Sequence, residues 1–285
     1  MPMPPVDLRQ RVAGTSDEAW FELSGARTVN EWERALACFD MKLSDFRTII
    51  DFGCGCGRAL RHLKPRLAQH QRLIGLDPDS EAIHWIEQNF SGVETHALAE
   101  HPPIDSLDAN IADLILCHSV FTHLPETVQF EWLAELARLL SAGGILIASI
   151  HGSKALAGSC SSLRAKGLTL QAYYISDQVK RHGFFHSTGK GPFQAALPSY
   201  YGSAFHHIDY VAEQWTNSFK LLAWFPIFAL DHQDLLVLSK RCNENSHLLS
   251  KKLAAREPVY ATLLRSTLWR VVAPVRAVSS AIRRR

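Results

Sequence analysis

The segment Asp51-Phe52-Gly53-Cys54-Gly55-Cys56-Gly57-Arg58 sets three glycines at alternate positions behind a carboxylate. Glycines so spaced let the backbone take positive φ and approach a ligand with no Cβ in the way. A dinucleotide site uses G-x-G-x-x-G and puts a pyrophosphate on a helix N-terminus. Here the spacing differs, and Asp51 would repel a pyrophosphate and attract an ammonium group. Asp77-Pro78 ends the next apolar run, where a carboxylate can accept from both hydroxyls of a ribose. The chain also has 14 histidines, the side chain whose ordinary pKa suits proton removal near neutral pH. His118 and His123 follow one apolar run, His151 ends another, His206 lies in an aromatic strip, and His232 opens His-Gln-Asp. Each is equally readable as a structural residue of a loop or core.

Alternating elements must position these residues. Short apolar runs predict strands over 48–52, 73–77, 93–97, 112–117 and 145–150. Helical patterns fall between them, over 57–67, 80–89 and 125–140, and ahead of them over 28–39, while the Pro-rich start reads as frayed. This alternation predicts an α/β fold with a parallel sheet covered on both faces. Glycines at the end of the first strand then lie on the carboxyl edge, where open α/β sheets bind ligands. Residues 219–225 and 234–240 read as two more strands, closing the sheet as an antiparallel pair. Residues 151–217 read as an irregular insertion. The expected organisation is a helical cap over 1–46, a ligand-binding domain over 47–240 that carries the insertion, and a basic helical tail over 241–285.

The motifs IIDFGCGCGR, LIGLDPDS, ADLILCHSVFTHLPE and LLSAGGILIASI together resemble a class I methyltransferase that uses S-adenosyl-L-methionine (SAM). The resemblance implies a Rossmann-like, seven-stranded, mostly parallel sheet with a reversed last strand. It implies that Asp51, Gly53, Cys54, Gly55 and Gly57 cradle the methionine end, with His118 beside it. Asp77 would hold the ribose, and Pro78 and Leu98 would flank the adenine. The acidic residue that usually follows the third strand is missing from ETHALAEHPP, which leaves Glu100 or a backbone carbonyl to read the adenine amino group. The strip around His206, followed by Tyr210-Val211-Ala212-Glu213-Gln214-Trp215, resembles methyltransferases of bacterial surface-glycan clusters, as does His232-Gln233-Asp234. That likeness implies a sugar hydroxyl as acceptor. His206 is the first candidate for its base, followed by His151, His123 and His232, with Asp234 orienting His232 or Gln233 binding sugar hydroxyls. Trp215 and Trp224 would stack on a sugar or fill the core. Rival readings are a natural-product N- or O-methyltransferase, a non-catalytic SAM-binding partner of a glycosyltransferase, and, less favoured by the loop, an NAD-dependent oxidoreductase.

Composition narrows the classes further. The chain has 285 residues, 47% hydrophobic and 20% charged, enough to bury a core. Its longest apolar run, residues 221–230, is too short to span a bilayer. No apolar stretch follows the first residues, so the cytoplasm is the expected compartment. Six cysteines show no paired zinc spacing, and no metal is expected. Residues 241–285 hold ten Lys+Arg against two Asp+Glu, whereas the rest holds 20 against 26. A nucleic-acid groove is therefore not expected. The tail's S-T-L-W-R-V-V-A-P-V-R stretch resembles an element of bacterial glycosyltransferase proteins, and predicts contact with such a partner or with an anionic membrane surface.

Overall fold

The computed structural model describes residues 1–188 and 197–241. Seven strands form the main sheet: β1 (Thr48–Phe52), β2 (Arg72–Asp77), β3 (Glu94–Ala97), β4 (Ala112–Cys117), β5 (Leu140–Ile150), β8 (Phe219–Ala229) and β9 (Gln233–Lys240). Their order is β3-β2-β1-β4-β5-β9-β8. Pairing is parallel from β3 to β5, and β9 runs antiparallel to both of its neighbours. This is the Rossmann-like arrangement the motifs implied, with its last strand reversed. The central strands read as continuous apolar runs because both faces are covered: Ile49, Ile50, Leu114, Ile115, Leu116, Ile145, Leu146 and Ile147 are all fully buried.

Helices α4 (Ser80–Asn89) and α5 (Glu126–Leu139) connect strands. Asp79 caps α4, its Oδ1 accepting from the amides of Glu81 (3.1 Å) and Ala82 (3.2 Å). Three expectations change. The Pro-rich start is ordered as α1 (Val6–Ala13), because Arg9 donates to the Pro4 carbonyl (2.5 Å) and pairs with Glu18 (3.1 Å). Helix α2 runs from Glu18 to Ala37, well ahead of residue 28, because the Asp17 side chain accepts from Ala19 and Trp20. After the glycine loop only Leu60–Leu63 is α-helical (α3), since Gly55 and Gly57 hold positive φ and Pro65 follows at once.

The region after β5 is not irregular. It holds α6 (Ser153–Ala165), α7 (Thr169–His182), the hairpin β6 (Phe184–Thr188) with β7 (Gly202–His206), and α8 (Ile208–Gln214). Ala155, Ile175, Val179 and Phe205 give it a small core of its own. Small residues in α6 (SKALAGSCSSLRA) hide its helical period. The predicted basic tail lies outside the described residues, apart from Arg241.

Strand β8 ends the sheet with two register shifts, between Leu221 and Ala223 and between Phe225 and Ala229, and Ile227 takes φ +59°. Asp234, 2% exposed, holds that bend: its carboxylate accepts from Trp224 Nε1 (2.8 Å) and from the Ile227 amide (2.9 Å). Trp224 is therefore tied to the sheet and not free to stack on a ligand. Asp234→Ala leaves two part-buried donors without their acceptor and is expected to lower the unfolding free energy by about 1 kcal/mol, read from the urea midpoint.

Candidate functional site

A cavity opens at the carboxyl edge of the sheet, lined by the glycine loop, Asp77 and Pro78 after β2, Leu98 after β3, and His118, Ser119, Val120, His123 and Leu124 after β4. Gly53 takes φ +81° and Gly55 φ +53°, and a Cβ on either would lie 2.2 Å from Val120 or 2.5 Å from Val12. Only glycine lets the backbone pass there. Asp77 fixes the loop: its Oδ2 accepts from the Gly55 amide (2.7 Å) and its Oδ1 from the Asp79 amide (2.9 Å). A carboxylate offers about four lone-pair sites, so Asp77 keeps acceptor capacity toward the cavity. Cys54 also lines the cavity. Gly57 does not; a Cβ there would strike Phe90 at 2.6 Å, so its role is packing.

Asp51 lies behind the lining, 2% exposed, and its Oδ2 has no hydrogen-bond partner. Burial raises its carboxyl to about 7, against the pull of buried Arg58 and with the push of Asp77. Burial likewise lifts Asp77 to about 6. His118 is buried on the wall with an unpartnered Nδ1, held neutral by burial, Arg58 and His232. The cavity thus has a polar end with a buried acceptor lacking a donor. Its other end is apolar, with Pro78, Leu98, Leu124 and Trp132. SAM, with an ammonium at one end and an adenine at the other, fits that donor and acceptor set. Glu100 is not in the lining; its carbonyl accepts the Tyr200 hydroxyl.

The four candidate bases separate. His206 is a core residue: 2% exposed, packed on Phe184 and Trp215, and absent from the lining. Gln129 donates through Nε2 to the carbonyls of Phe121 (3.1 Å) and Leu124 (2.9 Å), which turns its Oε1 to accept from His206 Nε2 (3.0 Å). The expectation that His206 is the base is corrected on that ground. His151 donates from Nδ1 to the Ala204 carbonyl (3.2 Å) and packs on Phe205, also away from the lining. His232 is exposed, 5.5 Å in ring centroids from His151, and Asp234 does not orient it. Gln233 is consumed in a ring of bonds: Ser149 Oγ donates to Oε1 (2.7 Å), Nε2 donates to Ser119 Oγ (2.9 Å), and the Ser119 amide donates to Ser149 Oγ (2.7 Å). It is buried and does not line the cavity, so it does not meet a sugar there.

His123 alone of the four lines the cavity. Its Nδ1–H donates to the Gly202 carbonyl (2.7 Å), which leaves Nε2 as a lone pair. The ring stacks on Tyr201 at 4.2 Å and 15°. Its carbonyl accepts from the Gly202 amide (3.0 Å) and from His186 Nε2 (3.2 Å). The hairpin of the insertion therefore clamps this residue through both ring and backbone. Burial lowers His123 to about 4.

Sequence reading missed several wall residues. Arg11 and Val12 of α1 cover the glycine loop, Arg11 pairing with Asp79 (3.3 Å) and Glu81. Tyr200 and Tyr201 close another side. No local pattern marks such long-range contacts. Arg58 stands in the motif itself but was given no role.

Cofactor affinity is expected to fall as pH drops from 8 to 5. Burial raises both carboxyls, so each loses its negative charge on the way down, Asp51 near 7 and Asp77 near 6. Titration calorimetry checks the slope. Asp77→Ala, which also frees the Gly55 amide, should weaken SAM binding at least about tenfold at pH 8.

Comparison with known proteins agrees with the geometry. Residues 50–146 match the family model described as a methyltransferase domain. A curated relative, the trans-aconitate 2-methyltransferase of Azoarcus sp. (strain BH72), is 32% identical over 123 residues. That match covers 40% of this chain and 44% of that protein, so the chain spans less than half of the relative's length. The solved structure of PKMT2 from Rickettsia typhi aligns over 80% of this chain and 55% of its own, at 14% identity and a TM-score of 0.50. The N-methyltransferase NodS from Bradyrhizobium japonicum WM9, solved with S-adenosyl-L-homocysteine, aligns over 83% and 97% at 14% identity and a TM-score of 0.48. Residues 50–146 are thus similar to a methyltransferase domain, and the cavity at their sheet edge fits S-adenosyl-L-methionine as cofactor.

Proposed function

We propose that this chain moves a methyl group from SAM to a hydroxyl, with His123 as the base. SAM supplies an activated methyl on a sulfonium. The chain's part is to hold the acceptor oxygen in line, near 3 Å from that methyl, and to take its proton. One observation carries the reading: of the four candidate bases His123 is the one on the cavity wall, and its Nδ1 bond to Gly202 leaves Nε2 as the unprotonated nitrogen. Burial keeps this imidazole neutral down to about pH 4, so Nε2 is unprotonated throughout the physiological range, and the same burial makes it a weak base that needs the acceptor proton to leave together with methyl transfer. The bound proton is held weakly, so it passes readily to solvent.

The likeness to glycan-cluster methyltransferases points to a sugar hydroxyl in a glycan or a lipid-linked precursor. The tyrosine pair Tyr200–Tyr201 at the cavity supports it, since aromatic faces suit the apolar side of a sugar ring. The His-Gln-Asp element does not support it, since none of its three residues lines the cavity.

His123→Ala is expected to lower kcat about 100-fold with SAM affinity little changed. In the native chain, kcat/KM should show no histidine limb between pH 5 and 8 from this group. His206→Ala should cost stability instead, leaving kcat of the folded fraction near normal. A carboxylate acceptor, of the kind in the curated relative's name, needs no base, and near-normal turnover of His123→Ala would replace the hydroxyl reading with that one. Incorporation of labelled methyl into glycan, lipid-linked and small-metabolite fractions identifies the acceptor class.

A further inference from the structure

The helix pair α6–α7 turns in a corner that carries the three most exposed large apolar side chains of the described residues, Leu170, Tyr173 and Tyr174, with Leu168 beside them. Leu168 is 46% exposed, Leu170 85%, Tyr173 64% and Tyr174 55%. On α7 the buried stripe is Ala172, Ile175 and Val179, which packs into the insertion core. Leu170, Tyr173 and Tyr174 follow i, i+3, i+4 spacing on the opposite face, so they form one outward patch. Farther along that face the character changes to an ion pair, Asp177 with Arg181 at 2.7 Å. The apolar part is thus confined to the corner and the two turns next to it.

Charge around the corner is one-sided. Residues 163–174 (LRAKGLTLQAYY) contain Arg164 and Lys166, both exposed, and no acidic residue. Gly167, at φ +78°, makes the turn between the two helices, with nothing within 4 Å of a Cβ built there. Two leucines at a helix corner, two tyrosines half a turn to a turn behind them, and flanking cations are the set that enters a headgroup region. Leucine inserts, tyrosine sits at the boundary, and Lys and Arg meet anionic phosphates. A bilayer is favoured over a protein partner because the flanking charge is all of one sign and complements anionic phosphates.

We propose that the α6–α7 corner is a peripheral docking surface for an anionic lipid bilayer. Leu168, Leu170, Tyr173 and Tyr174 enter the interface, and Arg164 and Lys166 pair with lipid phosphates. None of these residues lines the cofactor cavity, so docking leaves the methyltransferase site untouched. The proposal is independent of which acceptor the enzyme uses.

Co-sedimentation of the full chain with vesicles tests it, using phosphatidylcholine alone and phosphatidylcholine with about one third phosphatidylglycerol. The chain should bind the anionic vesicles, and less at about 0.5 M salt than at 0.1 M. The double variant Leu170→Ser, Tyr173→Ser should lose about tenfold or more in partitioning while binding SAM normally, which shows that it folds. Arg164→Glu with Lys166→Glu should lose the preference for anionic over neutral vesicles. Because the full chain keeps the basic stretch 242–285, unchanged partitioning of the Leu170/Tyr173 variant overturns the proposal and assigns binding to that stretch. Absence of binding by the native chain also overturns it. So does a lipid-free dimer, seen by light scattering and abolished by the same variant, since the patch is then a contact between copies.

Discussion

Asp77 is the constraint on which the site depends. Its two oxygens are the fixed points that bind the loop after β1 and the start of α4 to the tip of β2. Without them, three glycines with positive φ have no reason to stay in one conformation, since glycine loses more backbone freedom on ordering than any other residue. The cost of this arrangement is electrostatic. Two carboxylates, Asp51 and Asp77, sit buried near each other, and both are pushed toward protonation. Arg58 offsets part of that penalty from inside, and a cationic ligand would offset more. The loop is thus held by a group that the fold alone leaves under-compensated.

A second dependence runs through the insertion. Hairpin residues Gly202 and Ala204 donate to the carbonyls of His123 and Thr122, and Gly202 accepts from the His123 ring. The loop after β4 therefore takes its shape partly from a segment about 80 residues away. Buried between these pieces, His123, His151 and His206 are all kept neutral by desolvation, and all make carbonyl or amide bonds that fix their tautomers. They share a chemistry but not a position: His123 lines the cavity, whereas His151 and His206 do not.

The sequence made the sheet legible because strand identity there is local. Continuous apolar runs bounded by turns mark β1, β2 and β4, and the glycine loop marks the edge that binds ligand. The reversed strand was readable too, since β8 and β9 follow one another closely. What could not be read was set by contacts between distant segments. His206 stands in an inviting aromatic strip, yet Gln129, 77 residues away, takes its ring nitrogen. His232-Gln233-Asp234 looks like a base with its helpers, yet Gln233 and Asp234 face inward to Ser149, Ser119 and Trp224. Val12 and Arg11 reach the glycine loop only because α1 folds back over it, and nothing in the Pro-rich start signals that return. Motif resemblance picked out residues that the fold gathers around one cavity; it could not rank the histidines, because distant contacts decide which of them reach that cavity.

The outermost strands carry a consequence for solubility. An open sheet offers unpaired backbone at both rims, where another chain can add as a new strand and begin a fibril. One rim here is β3, only four residues long. At the other rim, β8 is eleven residues long, but its two register shifts, Pro226 and the positive φ of Ile227 interrupt the straight row of donors and acceptors. An incoming strand would find at most a few aligned partners before the ladder breaks. The Asp234 carboxylate that holds this kink therefore also makes this rim a poor template for an added strand, a property that neither the cofactor nor the acceptor would reveal.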